Sequence, residues 1–197
     1  MIEARSDVVG SLLRPRKLLE ARELLKRGEI SRSEFTQVED AAVDAAIRLQ
    51  EDAGLAVVTD GEMRRLSFQS QLTEAVEGFS EWGLDAFLWG DWHGDAVGDK
   101  RIERPPIAVL GRLRRRRFLS AEEFAYARGR TERIVKVTLP SPSLFANLWS
   151  PERSRDAYPT FDDFMADVVA IFVREVEELA RLGCRYVQLD APHYPLL

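Results

Sequence analysis

The sequence predicts an α/β fold of the (β/α)8 TIM-barrel type, incomplete here, with about five βα units that supply strands 1–5. Short apolar runs alternate with longer helical patterns along the 197 residues, which is typical of a parallel sheet covered by helices. In four of the five predicted strands, polar residues follow the apolar run, and in barrel enzymes this end of the strands carries the chemistry. These residues are Ser11, Asp60, Glu62, Ser141, Ser143 and Asp190. No G-x-G-x-x-G motif lies between a strand and a helix, so a dinucleotide-binding sheet is disfavoured.

The composition is that of an ordinary globular protein, and residues 1–197 are predicted as a single domain. The chain is 45% hydrophobic and 31% charged, with a formal net charge of -5. This charge argues against a nucleic-acid or anionic-membrane binder. The opening residues lack a signal-peptide pattern, and no apolar run approaches the roughly 20 residues of a transmembrane helix. Cys184 is the single cysteine, so we expect a cytoplasmic protein without an internal disulfide.

The first half of the chain contains two predicted strands and two predicted helices. The first strand is DVVGS, and the helix RKLLEARELLKRG that follows it ends at Gly28. Ser31 and Glu34 form a capping box that begins the second helix, which ends at Gly54 before the strand LAVVTDGE. Residues 66–100 hold three of the four tryptophans. We predict a long loop there, which in a compact domain is usually functional.

The second half continues the alternation. Three strands are predicted at PPIAVLGRL, RIVKVTLPSPS and RYVQLDAP. The helix between the first two is SAEEFAYARGR, with Ser120 as N-cap, and the helix between the last two is TFDDFMADVVAIFVREVEELARLG, which ends at Gly183. The arginine-rich run 112–117 is predicted as a solvated loop, with polyanion binding as the alternative.

Three carboxylates are candidate functional groups. Asp60 and Glu62 are two residues apart, so in a continuing strand both side chains point the same way. The alternative is that Glu62 forms a surface ion pair with Arg64 or Arg65. Asp190 follows the apolar run YVQL, and its alternative role is the N-cap of a following helix.

The remaining reactive residue types give no self-contained site. His93 and His193 are the only histidines, and neither has the spacing of a zinc motif. Cys184 is expected to pack as a small apolar group. The residues alone thus predict an enzyme-like α/β protein that acts on a small polar molecule, without defining the reaction.

Five segments, taken in order, resemble the cobalamin-independent methionine synthase family, in particular its shorter, single-barrel members. The segments are VVGSLLRPRKLLEAR, VTDGEMRR, RIERPPIAVLGRL, VKVTLPSPSLFANLW and RYVQLDAP. The resemblance covers essentially the whole chain. It implies transfer of a methyl group from 5-methyltetrahydrofolate, in its polyglutamate form, to the homocysteine thiol, which gives methionine.

The resemblance also implies an amino-acid site. Gly10 and Ser11 would bind the carboxylate of homocysteine, while Glu62 and Asp190 would bind its ammonium group. Hydrogen-bond donors at one end and carboxylates at the other suit a zwitterion. The family usually has an acid at position 191, where this chain has alanine, so one carboxylate of the family pattern is missing.

The resemblance further implies a folate site and a metal. Arg101 and Trp149 would lie near the pteridine, with Trp149 stacking on it. Zinc is expected for the complete family member, where it turns the thiol into a thiolate. Its ligands come from an H-x-C motif on the sixth strand and from later residues, and this chain has none of them. We therefore assign no metal ligand and no catalytic residue within residues 1–197.

The chain is accordingly expected to be the N-terminal portion of a barrel, truncated and inactive alone. It would be completed by a second half-barrel chain, or it would form a homo-oligomer through its open sheet edge. Two alternatives stay open. One is a related zinc-dependent alkyl-thiol transferase of the coenzyme M type. The other is a non-catalytic half-barrel that serves as a binding or assembly fragment.

Overall fold

The computed structural model describes residues 6–80, 90–92, 100–102 and 107–192, with only the backbone of 90–92 and 100–102. The α-helices in these ranges are α1 (Arg16–Lys26), α2 (Arg32–Asp52), α3 (Gln71–Ala75), α4 (Ala121–Arg128) and α5 (Phe161–Arg181). The strands are β1 (Val57–Val58), β2 (Val76–Phe79), β3 (Gly90–Trp92), β4 (Lys100–Ile102), β5 (Val109–Arg115), β6 (Ile134–Pro140) and β7 (Tyr186–Asp190), and a 3₁₀ helix covers Pro142–Leu148. No helix in the described ranges combines the length and the apolar character needed to cross a bilayer.

The chain divides into two compact units. The first contains Met1–Phe68, Ser120–Leu139 and Glu178–Gln188, and the second contains Gln69–Leu119, Pro140–Glu177 and Leu189–Leu197. Each unit thus combines segments that are distant in sequence. The assignment of residues 1–197 to one domain stays a prediction.

A three-stranded sheet in the order β1-β6-β7 forms the centre of the first unit. β1 pairs with β6 in parallel, with Val57 opposite Ile134 and Val58 opposite Val135. β6 is buried from Val135 to its end, as expected for a strand with packed residues on both faces. The predicted parallel pairing is therefore confirmed for β1 and β6, whereas the predicted burial of the last strand is wrong, because β7 has exposed residues at Tyr186 and Leu189.

Helix α2 begins at the predicted capping box. The Glu34 N–H donates to Ser31 Oγ at 3.2 Å, and the Ser31 N–H donates to Glu34 Oε2 at 2.7 Å. Because both bonds satisfy amides that the first turn leaves unpaired, they fix the start of the helix. Gly54, with a φ of 78°, lies two residues beyond Asp52 and ends it as predicted.

Side chains, rather than a strand ladder, attach the opening segment, residues 7–10, to the first unit. Residues 6–9 contain no strand, so the predicted first strand is wrong as a ladder element. Three side-chain donors bond three consecutive carbonyls, and the fully buried Lys136 also binds the Asp7 carboxylate at 2.9 Å. The three bonds are Lys136 Nζ to Val8 O (2.6 Å), Gln188 Nε2 to Val9 O (2.9 Å) and Thr59 Oγ1 to Gly10 O (3.0 Å).

The second unit contains an antiparallel pair, β2 with β5, that the sequence did not predict. Val76 lies opposite Arg115 and Phe79 lies opposite Val109, with an irregularity between Glu77 and Phe79. The predicted third strand is thus real, but it pairs with β2 rather than with the parallel sheet. The predicted long loop 66–100 is also wrong in part, because α3, β2 and β3 all lie within it.

The arginine-rich run 112–117 is mostly strand, so the loop prediction is wrong, although these side chains are mainly exposed as expected. Its charges meet acids of the same unit. Arg114 and Arg116 both bind Glu77, with 2.7 Å for the Arg116 pair, and Arg112 lies 3.4 Å from Asp167. Exposed pairs of this kind contribute up to about 1 kcal/mol each. The alternative of polyanion binding by this run stays a prediction.

An aromatic cluster forms part of the core of the second unit. The rings of Tyr158 and Phe164 meet edge to face at 5.5 Å, and Phe145 packs against Phe172 at 5.9 Å. Tyr158 is fully buried, and its hydroxyl donates to Asp167 and accepts from the Leu113 N–H, both at 2.7 Å. The phenol is thereby satisfied in both directions, as a buried tyrosine requires.

Candidate functional site

The candidate site begins at the turn that follows β1. Gly61 and Glu62 have φ angles of 67° and 55°, so two successive residues adopt the left-handed conformation. For a residue other than glycine this costs on the order of 1–3 kcal/mol, and such residues cluster at functional sites. β1 ends at Val58, so the expected strand continuing through Asp60 and Glu62 is wrong.

Neighbouring side chains hold this turn in place. Arg14 donates to the carbonyls of Glu62 (3.1 Å) and Arg65 (3.2 Å), and Arg22 donates to the Arg65 carbonyl at 3.1 Å. Within the turn, Asp60 Oδ1 accepts the Glu62 N–H at 3.0 Å. Burial lowers the pKa of Arg14, and the positive charge of Arg22 lowers it further. Hydrogen bonds with Arg14, Arg22 and Asp60 therefore stabilise the strained backbone of this turn.

The structure brings together three of the predicted homocysteine residues. Ser11 Oγ donates to Glu62 Oε2, and a β-carbon on Gly10 would lie 2.7 Å from Glu62 Oε1. Glycine is therefore required at position 10 because no side chain fits between the backbone and the carboxylate. Ser11 is exposed, whereas Glu62 is only 1% exposed, so the pair is approached from solvent at Ser11. Their roles in binding stay predictions.

Thr138, which the sequence reasoning missed, and Arg65, which it considered only as a surface partner, complete the surroundings of Glu62. Its Oε1 accepts from Thr138 Oγ1 at 2.6 Å and from Arg65 Nη1 at 3.1 Å. A signal for the first exists in IVKVTLP, where Lys136 and Thr138 are polar at alternate positions and therefore point to one face of β6. Arg65 carries no such signal because its contacts come from distant segments.

Arg65 lies at the centre of this cluster and is 2% exposed. Besides Glu62 and Thr138, its guanidinium binds Glu123 Oε2 through Nε (3.0 Å) and Nη2 (2.9 Å), and Ser120 Oγ at 3.4 Å. Burial alone would lower the pKa of Arg65, but the nearby carboxylates, Glu123 foremost, outweigh burial and raise the pKa. The predicted alternative, an ion pair between Glu62 and Arg65, is thus correct in its partners. Its predicted location is wrong, because the pair is buried and does not lie on the surface.

Ser120 precedes α4, as predicted, but its side chain makes no hydrogen bond to the first turn of that helix. Its hydroxyl instead accepts from Arg65. The predicted N-cap position is therefore correct, while the predicted capping bond is wrong, because the buried guanidinium uses the oxygen.

Asp190 is the last residue of β7 and is partly buried in the second unit. Its carbonyl accepts the Ser141 N–H at 2.8 Å, and Ser141 Oγ lies 2.8 Å from Ser143 Oγ. The polar strand ends of this unit are therefore ordered by their own hydrogen bonds. Binding of an ammonium group by Asp190 stays a prediction.

The structure describes the side chain of only one of the two predicted folate residues, Trp149. The indole N–H of Trp149 donates to the Tyr158 carbonyl at 3.0 Å, and its ring meets Phe161 edge to face at 6.1 Å. Trp149 is partly exposed and fixed in orientation, and its stacking on a pteridine stays a prediction. Arg101 lies in β4, but its side chain is outside the described residues.

The side chains that the structure describes offer no metal site. Within those ranges, no three His, Cys, Asp or Glu side chains gather where they could hold a metal ion. Asp60, Glu62 and Glu123 each lie near the guanidinium of Arg65, which supplies the positive charge. The described residues therefore do not fit zinc. His93 and His193 lie outside the described ranges.

Comparison with known proteins defines the family. The model for "Cobalamin-independent synthase, Catalytic domain" matches residues 6–196. A methionine synthase from Pyrococcus abyssi is 32% identical over 191 residues, which are 95% of this chain and 51% of the relative. A 5-methyltetrahydropteroyltriglutamate–homocysteine methyltransferase from Thermosynechococcus vestitus is 30% identical over 188 residues, 95% of this chain and 23% of that relative. The chain thus spans about half of the shorter relative and about a quarter of the longer one.

Solved structures give the same fold. A protein from Listeria monocytogenes, described as a vitamin-B12 independent methionine synthase, matches 99% of this chain and 55% of its own, with a TM-score of 0.71 and 21% identity. A B12-independent methionine synthase from Shewanella sp. W3-18-1, solved with selenomethionine, matches 83% of this chain and 44% of its own, with a TM-score of 0.63 and 20% identity. The predicted α/β, TIM-barrel type fold, present in part, is confirmed by these neighbours. With the family model matched over residues 6–196, the chain belongs to the cobalamin-independent synthase family.

Proposed function

We propose that this chain provides amino-acid-binding residues of a methyltransferase that moves a methyl group from 5-methyltetrahydrofolate to the thiol of homocysteine. Family membership and the names of the relatives support this proposal. The acceptor would be homocysteine, the donor the polyglutamate form of methylfolate, and the product methionine. The cytoplasm is the proposed compartment, since the chain contains a single cysteine.

The contact between Ser11 and Glu62 carries the proposal. A free amino acid presents an ammonium group, which is a strong donor to a carboxylate. The carboxylate of Glu62 is buried, but the exposed hydroxyl of Ser11 contacts it, so a ligand can reach it from that side. Glu62 is 1% exposed, so an ammonium bond to it would form in surroundings that screen charge far less than water does. We propose that the ammonium group replaces the Ser11 hydroxyl at Glu62 Oε2, that the released hydroxyl and Gly10 donate to the ligand carboxylate, and that Asp190 is a second acceptor for the ammonium.

Zinc has no place in the steps proposed for this chain because the described residues do not fit it. The prediction that complete members of the family hold zinc elsewhere stays untested. For the described residues around Glu62 we therefore propose only binding and orientation of the amino acid. We also retain Arg101 and Trp149 as proposed folate contacts.

Isothermal titration calorimetry of the 197-residue chain tests the proposal. L-Homocysteine and L-methionine should bind, and Glu62→Gln should weaken both by about tenfold or more because a charge-assisted bond is lost. Glu20→Gln is the matched control, since Glu20 is exposed on the surface of α1, where it forms an ion pair with Arg16. Its affinities should equal those of the unmodified chain.

Other outcomes decide between the alternatives. Binding of coenzyme M without binding of either amino acid would favour an alkyl-thiol transferase. Absence of binding for all of these ligands would favour a non-catalytic binding or assembly fragment. Equal affinities in Glu62→Gln and the unmodified chain would contradict the assigned role of Glu62.

A further inference from the structure

The two oxygens of the Glu62 carboxylate have different partners. Oε1 accepts from Thr138 at 2.6 Å and from Arg65 at 3.1 Å, and both donors are buried. Oε2 accepts from the hydroxyl of Ser11, an exposed residue. One oxygen is therefore held by the interior, while the other lies on the side that a ligand can reach.

The positive charge of Arg65 is shared. Two of its nitrogens bind Glu123 at 2.9 and 3.0 Å, while a third binds Glu62 at 3.1 Å. Asp60 also lies close enough to raise the pKa of Arg65. If Glu62 were its only acidic neighbour, the pair would be neutral and would attract a cation weakly. With Glu123 and Asp60 present, the positive charge of Arg65 is shared among three carboxylates, and Arg14 adds a second positive charge near Glu62 and Asp60.

We propose that Arg65 is a positioning residue: it holds Oε1 of Glu62 so that Oε2 faces the ammonium group of the bound amino acid. Glu123 has a supporting role. By binding two nitrogens of Arg65, it prevents the guanidinium from neutralising Glu62. This inference rests on the proposed function. It adds two determinants of specificity, Arg65 and Glu123, which affect recognition of the ligand's amine without touching the ligand.

A purely structural role for Arg65 is the competing explanation. Arg65 joins the turn after β1 to Ser120 and to β6, so its loss could loosen the whole site. Such loosening would weaken every ligand alike. A positioning role, by contrast, changes only the part of the affinity that depends on the ammonium group.

The test compares L-methionine with 4-(methylsulfanyl)butanoate, which is the same molecule without the amine. Calorimetric affinities of both are measured for the unmodified chain, Arg65→Lys and Glu123→Gln. We expect the preference for methionine to fall by about tenfold or more in each variant, while affinity for the analogue changes by less than about threefold. Glu123→Gln preserves size and leaves Arg65 in place, so it serves if Arg65→Lys fails to fold.

Arg64→Lys is the matched control. Arg64 is the neighbouring arginine, but it binds Asp40 of α2 and stacks over Tyr126 of α4 at 4.6 Å, away from Glu62. Its preference for methionine should equal that of the unmodified chain. An equal fall for both ligands in Arg65→Lys and Glu123→Gln would overturn the positioning role in favour of the structural one.

Failure of the proposed function has a different signature. If the unmodified chain binds neither ligand, the amino-acid site is wrong and the ligand part of this inference falls with it. A crystal structure of Arg65→Lys then decides the geometric part. We expect the Glu62 carboxylate to leave Thr138, and an unchanged carboxylate position would overturn the inference.

Discussion

Replacement of Gly10 by alanine tests how tightly the opening segment is packed against the site. The added carbon would lie 2.7 Å from Glu62 Oε1 and 3.1 Å from Thr138 Cγ2. Both distances are well inside the roughly 3.5–4.0 Å optimum of non-bonded carbon contacts. Because Thr138 lies on a buried strand and Glu62 is bonded at both oxygens, neither neighbour can move without losing a hydrogen bond.

The expected cost follows from this geometry. Overpacking of a well-packed site costs about 1–3 kcal/mol. With an m value of about 2 kcal/mol/M, the urea midpoint should fall by about 0.5–1.5 M. Affinity for L-methionine should fall in parallel, since the clash displaces the carboxylate that is proposed to bind the ammonium group.

Urea unfolding followed by circular dichroism measures the first effect and calorimetry the second. Gly129→Ala is the matched control, because Gly129 has a φ of -75° and an added carbon would meet nothing closer than 3.4 Å. That variant should be as stable as the unmodified chain or slightly more stable. A Gly10→Ala chain with an unchanged midpoint and unchanged methionine affinity would refute the packing described for this site.

Two further predictions concern titratable groups. Burial raises the pKa of Tyr158 to about 12, so its contribution to stability is complete below the ordinary tyrosine pKa of about 10 and is lost as pH rises through about 12. Tyr158→Phe should lower the free energy of unfolding by about 1–3 kcal/mol, because the Leu113 N–H loses its acceptor. The variant should also lack the phase with the highest pH in an alkaline absorbance titration of the tyrosines. Survival of that phase would contradict the assignment to Tyr158. Burial likewise raises the pKa of Glu39 against the opposing charges of Arg32 and Arg64, so ionisation of this side chain destabilises the fold at neutral pH. Glu39→Gln should raise the urea midpoint at pH 7 and lose that gain as pH falls below about 4, whereas a gain that is constant with pH would exclude the ionisation as its cause.

Local signals in the sequence predicted the helices well. The capping box at Ser31 and the glycines at 28 and 54 act within a few residues, so the boundaries of α1 and α2 agree with expectation. The buried face of α2 was less predictable. Leu49 is an apolar residue of this helix and is 62% exposed, while Gln50 is buried because its amide bonds the Thr59 backbone in both directions.

Pairing between distant segments could not be predicted from apolar runs. The segment that became β5 has the composition of a buried strand, yet it pairs with β2 across a bulge where Gly78 has a φ of 113°. Nothing local in PPIAVLGRL distinguishes a parallel from an antiparallel partner. The arginines that follow this segment are explained only by the partner strand, where Glu77 lies opposite Arg114.

The candidate site shows the same division. Gly10, Ser11 and Glu62 were predicted through a resemblance and are found together. Arg65 was considered only as a surface partner, because its burial depends on Glu123, which is 58 residues away in sequence. A buried charged residue whose partner is far away in the sequence leaves no periodic pattern. Sequence reasoning therefore assigns such a residue to the surface, where most charged residues lie.

The attachment of the opening segment by side chains has a consequence for register. A strand held by a backbone ladder can slip by two residues and recover most of its bonds, since every amide offers the same donor. Residues 8–10 instead meet three chemically different donors, an ammonium, an amide and a hydroxyl, from Lys136, Gln188 and Thr59. A slip would lose all three bonds at once. The identities of these side chains therefore determine the register that places Ser11 beside Glu62. In a strand paired by a ladder, backbone hydrogen bonds set the register instead.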